Sequence, residues 1–112
     1  NAHATSTPVG DNGELAAINT LFGADSTVAI SATKSATGHL LGAAGGIEAI
    51  FTVLALRDQI APATLNLDNP DPAAAGLNLI RGTARQLPIE YAISNGFGFG
   101  GVNASVLFKR WS

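Results

Sequence analysis

The chain has 112 residues, of which 46% are hydrophobic and only 12% charged, with a formal net charge of −2. This length suits one domain or a part of a larger one, and the weakly acidic balance offers no basic footprint for nucleic acid. With no cysteine, disulfides, thiolate metal sites and a cysteine nucleophile are excluded within these residues; Gly42, Gly45, Gly46 and Glu48 interrupt the best apolar run before it reaches the roughly 18 residues of a membrane span.

In chain order, Asn1 to Gly10 reads as a polar loop carrying His3. Asp11 is an expected N-cap, with Glu14 three residues later completing a capping-box pattern. Leu15, Ile18, Leu21 and Phe22 then recur at helical spacing, and Gly23 ends the helix. Val28 to Ser31 reads as a short buried strand. Ser35 or Thr37 can cap a second helix, expected from about His39 to Arg57. Its apolar residues (Leu40, Leu41, Ala44, Ile47, Ile50, Phe51, Leu54, Leu56) lie on every side, the pattern of a buried helix. Glycine inside a helix costs about 1 kcal/mol against alanine, so Gly42, Gly45 and Gly46 point to another backbone approaching closely. Pro62 to Ala75 is a connector rich in proline and asparagine. Leu77 to Ile80, Tyr91 to Ser94 and Ala104 to Phe108 read as strands, with Asn95 to Asn103 as the loop between the last two. The mixture predicts an α/β class with layers around part of a mixed sheet. The charged fraction is well below the roughly 25% of an average soluble domain, so much of the surface is expected to be covered by a partner chain or a missing half. The opening on Asn1, without a signal peptide, reads as a cut inside a longer sequence.

The two histidines and Lys34 are the candidates for chemistry. By its neighbours alone, His3 reads as a loop histidine among turn-forming hydroxyls. His39, expected near a helix N-terminus, is disfavoured as imidazolium there; it serves either as a neutral donor to a developing oxyanion or simply to satisfy backbone groups. Glu48 on an apolar helix needs a partner, and Lys34 is the candidate, as a structural ion pair or as a catalytic lysine that also keeps His39 neutral. The Phe97-to-Gly101 loop lies between strands and lacks a P-loop lysine, so it is not a phosphate loop. It serves either to bring backbone N–H groups near a substrate, with phenylalanine as a movable wall, or as a tight hairpin with two core aromatics. The histidines show no metal-ligand spacing, and no Gly-x-Ser-x-Gly elbow occurs.

Asn1-Ala2-His3-Ala4-Thr5-Ser6-Thr7, Thr33-Lys34-Ser35-Ala36-Thr37-Gly38-His39-Leu40-Leu41-Gly42-Ala43-Ala44-Gly45 and Asn95-Gly96-Phe97-Gly98-Phe99-Gly100-Gly101-Val102-Asn103 together resemble the C-terminal part of the β-ketoacyl-acyl carrier protein synthases of the thiolase superfamily. Leu56-Arg57-Asp58 and Leu65-Asn66-Leu67-Asp68-Asn69-Pro70-Asp71 extend the likeness over essentially the whole chain, and Thr-Gly-His-Leu-Leu-Gly is closest to the synthase II type. Ala4 stands where the family more usually has glycine. The resemblance implies the C-terminal half of a thiolase-like layered fold, with a mixed sheet packed against a buried helix. It also implies fatty acid chain elongation by decarboxylative Claisen condensation of malonyl-acyl carrier protein with an acyl-enzyme thioester.

In that reading His3 and His39 stabilise charge on the malonyl thioester oxygen, and Lys34 tunes His39 and pairs with Glu48. The Phe99 N–H contributes to a second oxyanion hole and its ring gates the acyl pocket, while Phe97 is a substrate-binding residue. Thr5 and Thr7 hold the phosphopantetheine arm, while Asp11, Glu14 and Glu48 give structural support. Asn1, Glu48, Ser94 and Asn103 correspond to positions around a structural sodium or potassium ion in some relatives; no other cofactor is implied. The nucleophilic cysteine belongs to the other half, so the fragment alone is expected to be inactive. Acyl carrier protein, the N-terminal half and a second copy of the chain are the implied partners, in the cytoplasm, with neither nucleic acid nor membrane. A polyketide ketosynthase domain and a noncatalytic chain-length partner subunit are the alternatives; the two histidines and Lys34 argue against the latter.

Overall fold

Pro8 sets the start of the first helix: its ring holds φ near the helical value, and its missing N–H would be unpaired at that position anyway. The computed structural model describes residues 1–23 and 25–111. Helix α1 runs Pro8–Phe22, with Thr7 as an extended N-cap (φ −108°, ψ 137°). The cap expected at Asp11 is therefore displaced, and the capping box with Glu14 does not form, because Asp11 lies inside the helix. The end falls where glycine puts it, at Gly23 with φ 80° and its N–H on the Asn19 carbonyl.

The helix expected from His39 to Arg57 begins later, at Ala44, with a 3-10 turn and a separate single turn before it. Helix α2, Lys34–Thr37, is a single turn closed by Gly38 at φ 73°. Leu41 takes φ 53°, a 3-10 turn covers Leu41–Ala43, and helix α3 then runs Ala44–Asp58. Two residues in left-handed backbone are incompatible with a continuous helix. Gln59, also left-handed, closes α3 in place of glycine. Its side chain fastens the end by donating to Leu56 O (2.7 Å) and Ile89 O (2.8 Å) and accepting from Ile89 N–H (2.8 Å).

Within the described residues, α3 is not buried all round. Ala44, Glu48, Thr52 and Leu56 form its buried stripe at four-residue spacing, whereas Ile50 and Val53 are 58% and 46% exposed. No backbone approaches Gly42, Gly45 or Gly46: a Cβ at any of them would meet nothing within 4 Å. The apolar face they share is open because α3 packs through its other side, chiefly on β5.

Strand β1 (Ala29–Ile30) pairs in parallel with β3 (Asn78–Leu79). Strand β5 (Tyr91–Phe97) pairs antiparallel with β6 (Asn103–Lys109) along their whole length. The hairpin loop is thus shorter than expected, Gly98 to Val102, closed by Gly98 N–H on Val102 O at 2.7 Å. Gly100 and Gly101 turn it at φ 79° and 81°, which glycine adopts without steric penalty. Strands β2 (Ile60–Ala61) and β4 (Arg85–Gln86) form a further antiparallel pair that carries no legible alternation. The segment Asn1 to His3, read as a polar loop, lies between the two main pairs: Ala2 N–H bonds Ser31 O (2.8 Å) and Asn95 N–H bonds Asn1 O (3.0 Å). Ile80 is fully buried, its N–H on Ile30 O (2.9 Å) and its carbonyl taking Thr64 N–H (2.8 Å). Removing a side chain that fills a closed core site leaves a cavity. Ile80→Ala is expected to lower the unfolding free energy by about 2–5 kcal/mol in chemical denaturation, and Ile80→Val by about 1 kcal/mol.

Candidate active site

Glu14 places His3. Its carboxylate is 6% exposed and accepts His3 N–H on Oε1 (2.9 Å) and Ala4 N–H on Oε2 (2.8 Å), with Asn95 Nδ2 at 3.4 Å from Oε1. Two main-chain donors in a dry site explain why Glu14 does not reach back to cap its own helix. Gly38 turns the chain so that His39 lies ahead of the 3-10 turn that leads into α3 rather than at the start of a long helix. The two imidazoles meet edge to face with ring centroids 5.5 Å apart, and Phe97 lies against His3 at 5.4 Å.

Lys34 and Glu48 form the ion pair expected of them, Nζ to Oε1 at 2.7 Å, with side chains 5% and 2% exposed. The other neighbour of Lys34 differs from expectation: Nζ lies 3.4 Å from His3 Nδ1, so the ammonium acts on His3 rather than His39. The side chain runs from α2 to Glu48 in α3, and His3 flanks that path. Burial pushes the His3 imidazole below its ordinary value of 6.5; Lys34 adds to this, Glu14 opposes it, and His39 again lowers it. With Nδ1 facing an ammonium donor, neutral His3 carries its proton on Nε2. The Leu41 N–H donates to His39 Nδ1 at 3.1 Å, so the neutral form of that ring also protonates Nε2. Among the described residues nothing engages either Nε2. The pair offers two N–H donors to an external acceptor.

A cleft of about 690 Å³ is lined by Thr5, Thr7, Lys34, His39, Asn66 and Asp71; of the two histidines, His39 lines it. The Thr5 and Thr7 hydroxyls are 3.2 Å apart. A Cβ at Gly10 would come within 2.6 Å of Thr7 Oγ1, so glycine keeps room for that hydroxyl. Phe99 is fully exposed in the Gly98-to-Val102 turn and makes no ring contact with either histidine; of the two loop phenylalanines, Phe97 is the one at the site. Asp11 does not cap α1 but accepts Ser6 N–H at 3.2 Å.

Of the four residues matched to a monovalent cation, Asn1, Glu48 and Ser94 are hydrogen-bonded to one another. Asn1 Nδ2 donates to Glu48 Oε1 (2.9 Å) and Ser94 Oγ (3.2 Å), and Glu48 Oε1 already holds Lys34. Asn1 Oδ1 accepts from Thr33 Oγ1 at 3.0 Å. Asn103 pairs with Phe97, whereas Ser94 pairs with Val106, three rungs along the hairpin, or about 10 Å. Asn1 Oδ1, Glu48 Oε1 and Ser94 Oγ each take a protein donor. Thr33 and Asn95 are site residues that the motifs alone did not single out. Their partners lie 32 and 81 positions away in the chain, beyond any local spacing signal.

Removing one member of a buried ion pair strands the other charge. Lys34→Met is expected to destabilise the protein by about 3–5 kcal/mol in denaturant unfolding, and adding Glu48→Leu should restore most of that. A second expectation concerns pH. The folded state holds His3 below 6.5, so as pH falls the unfolded chain takes up this proton first. The associated stability is complete above pH 6.5 and drains as pH drops from there toward the folded value. His3→Gln should flatten the fall of Tm below pH 6.5 in a melting series.

A family model described as "Beta-ketoacyl synthase, C-terminal domain" matches residues 1–68. The chain is 53% identical over 112 residues to 3-oxoacyl-[acyl-carrier-protein] synthase 2 of Vibrio harveyi, covering 98% of this chain and 27% of that protein. It is 53% identical over 111 residues to the mitochondrial 3-oxoacyl-[acyl-carrier-protein] synthase of Arabidopsis thaliana, covering 96% and 24%. A crystal structure of a β-ketoacyl synthase from Burkholderia phymatum STM815 superposes with a TM-score of 0.92 at 45% identity, over 99% of this chain and 27% of that one. A ketosynthase from module 1 of the bacillaene synthase of Bacillus amyloliquefaciens FZB42 gives 0.86 at 27% identity, over 99% and 23%. The chain spans about a quarter of the length of the curated relatives it matches. The matched residues include His3, Lys34, His39 and Glu48, and the α/β layers around them are those of a thiolase-like ketosynthase: the chain belongs to the β-ketoacyl synthase family.

Proposed function

We propose that these residues are the C-terminal portion of a 3-oxoacyl-acyl carrier protein synthase that elongates fatty acids by decarboxylative condensation. The observation that carries this reading is the meeting of two histidines, one of them lining a cleft, each with Nδ1 engaged and Nε2 free to donate. A malonyl thioester that loses carbon dioxide leaves its electron pair as an enolate, with negative charge on the thioester oxygen. Two N–H donors already in place stabilise that charge without reorganising water. The carbanion then attacks the acyl thioester carbonyl, the cysteine thiolate leaves, and a 3-oxoacyl chain remains on the carrier.

The chain's own residues divide this work. His3 and His39 donate to the enolate oxygen. Burial, aided by Lys34 held on Glu48, favours neutral His3, and Lys34 against Nδ1 leaves the Nε2–H as its donor. Thr5 and Thr7 offer hydroxyls to the amides of a phosphopantetheine arm along the cleft. Phe99 supplies its N–H to the oxyanion of the acyl-transfer step, and its exposed ring swings as the gate to the acyl pocket. The nucleophilic cysteine comes from the rest of the protein, so this fragment by itself catalyses no condensation.

The acyl carrier protein is the substrate partner. The remainder of the chain and a second subunit cover the open faces of α3 and β6, giving a cytoplasmic homodimer. Identity of 53% to synthases of the separate-enzyme type, against 27% to the bacillaene ketosynthase, favours fatty acid elongation over a polyketide module.

Loss of one preorganised oxyanion donor lowers a rate by about 10²–10³-fold. In the full-length protein, His39→Ala is expected to lose malonyl decarboxylation by that factor while acyl transfer to the cysteine persists. Condensation at the wild-type rate would remove His39 from the mechanism.

A further inference from the structure

Thr64, Leu65, Asn66 and Leu67 line the same cleft as His39. Thr64 is tied from two directions. Its N–H donates to the carbonyl of fully buried Ile80 at 2.8 Å, and its hydroxyl oxygen accepts the Ala32 N–H at 2.9 Å. Leu65 hangs on α2: its N–H donates to Ser35 Oγ at 2.8 Å, and that hydroxyl donates in turn to Ala32 O at 2.8 Å. Ser35 follows Lys34 directly and comes shortly before His39 in the chain. The turn at Leu65 and Asn66 is therefore fastened to the short segment that carries two residues of the site. Its place at the cleft is set before any ligand arrives.

Asn66 itself has φ 60°. In left-handed backbone Cβ crowds the following carbonyl, and residues held in such rare conformations cluster at active sites and ligand clamps. Glycine takes positive φ at Gly76 and Gly82 and would take it here at no steric cost. Asparagine instead keeps a primary amide at the cleft. The hydrogen bonds beside it use the Leu65 N–H and the Asp68 carbonyl, which accepts from Arg81 Nη1 at 3.4 Å. Among the described residues none engages the Asn66 side chain, so its N–H donors and its carbonyl are both open. A pantetheine arm carries secondary amides, each with one donor and one acceptor. Whichever group of such an amide it meets, a primary amide has the complement. We propose that Asn66 is a further binding residue for that arm, pairing through its side-chain amide with one of the arm's amides. This role rests on the arm lying along the cleft with Thr5 and Thr7, as given above, and deepens it.

Asn66→Gly in the full-length protein separates the amide from the backbone that carries it. Glycine suits the φ and position 66 is exposed, so the variant keeps the fold and loses only the amide. It is expected to raise KM for malonyl-carrier decarboxylation by roughly threefold to tenfold, the scale of one hydrogen bond. With kcat unchanged, that is the pattern of binding lost equally from ground and transition states. A wild-type KM in Asn66→Gly would overturn the proposal, because asparagine would then serve the turn alone. The choice of substrate shows what the amide touches. Malonyl-coenzyme A carries the same arm without the carrier protein and should show the same rise. The malonyl thioester of ethanethiol has no amide and should show none. A rise confined to the carrier substrate, or one that extends to the ethanethiol thioester, would refute pairing with the arm. Free pantetheine reads the contact without catalysis: in an NMR titration it should bind the wild type roughly threefold to tenfold more tightly than Asn66→Gly. Equal affinities would remove Asn66 from the arm's site. A wild-type protein that binds pantetheine through Asn66 yet does not decarboxylate malonyl-carrier would count against the proposed function and leave the role of Asn66 standing.

Discussion

The ion pair between Lys34 and Glu48 joins pieces of the chain that have no other reason to meet. It links the single turn of α2 to the middle of α3 at 2.7 Å, and both side chains are almost wholly out of water. Two charges removed from water are tolerable only with good geometry and further hydrogen bonds. Glu48 has these in Asn1 Nδ2, and Lys34 has His3 Nδ1 as a second acceptor. The pair therefore determines more than a helix contact. It anchors Asn1, hence the extended segment through His3, hence the position of one imidazole relative to the other.

A second consequence is electrostatic. His3 sits between an ammonium and a carboxylate: Lys34 lies against its Nδ1, while Glu14 holds its main chain from the opposite side. Desolvation and the ammonium together outweigh the carboxylates and hold the ring below its ordinary value. A neutral ring with Nδ1 occupied has only Nε2–H to offer, so the ion pair sets both charge and tautomer. His39 reaches the same tautomer by a cheaper route, a single backbone N–H from Leu41.

The surface shows what the low charge means. Leu41, Ile50, Val53, Leu107 and Trp111 are exposed on α3, β6 and the segments beside them, while the buried stripe of α3 carries Glu48 and Thr52. Polar groups inside and apolar groups outside invert the usual arrangement. The inside is built around a site. The outside presents these large apolar side chains to solvent, in keeping with a chain that spans about a quarter of the relatives it matches.

Some of this was readable without coordinates. Gly23 stops α1 because glycine tolerates the φ needed there, and the short, largely apolar runs Val28 to Ser31 and Leu77 to Ile80 contain the strands Ala29–Ile30 and Asn78–Leu79. The pairing of Lys34 with Glu48 follows from the cost of a lone carboxylate on an apolar helix. Local chemistry did not reveal that Leu41 would delay the start of the second helix to Ala44, since left-handed backbone at a leucine is imposed by its surroundings. Nor did it reveal that Glu14 would leave its own helix for the His3 loop, that Lys34 would lie against His3, or that the Phe97 ring would pack on His3. Those outcomes depend on contacts between residues 10 to 81 positions apart. The sequence by itself determined which residue types are available, where helices must stop and which charges need partners, because these are local matters of φ, hydrogen-bond capacity and desolvation. Only the tertiary structure decided which partner each charge took and which way each imidazole points, because such choices are settled by packing among segments that local spacing cannot connect.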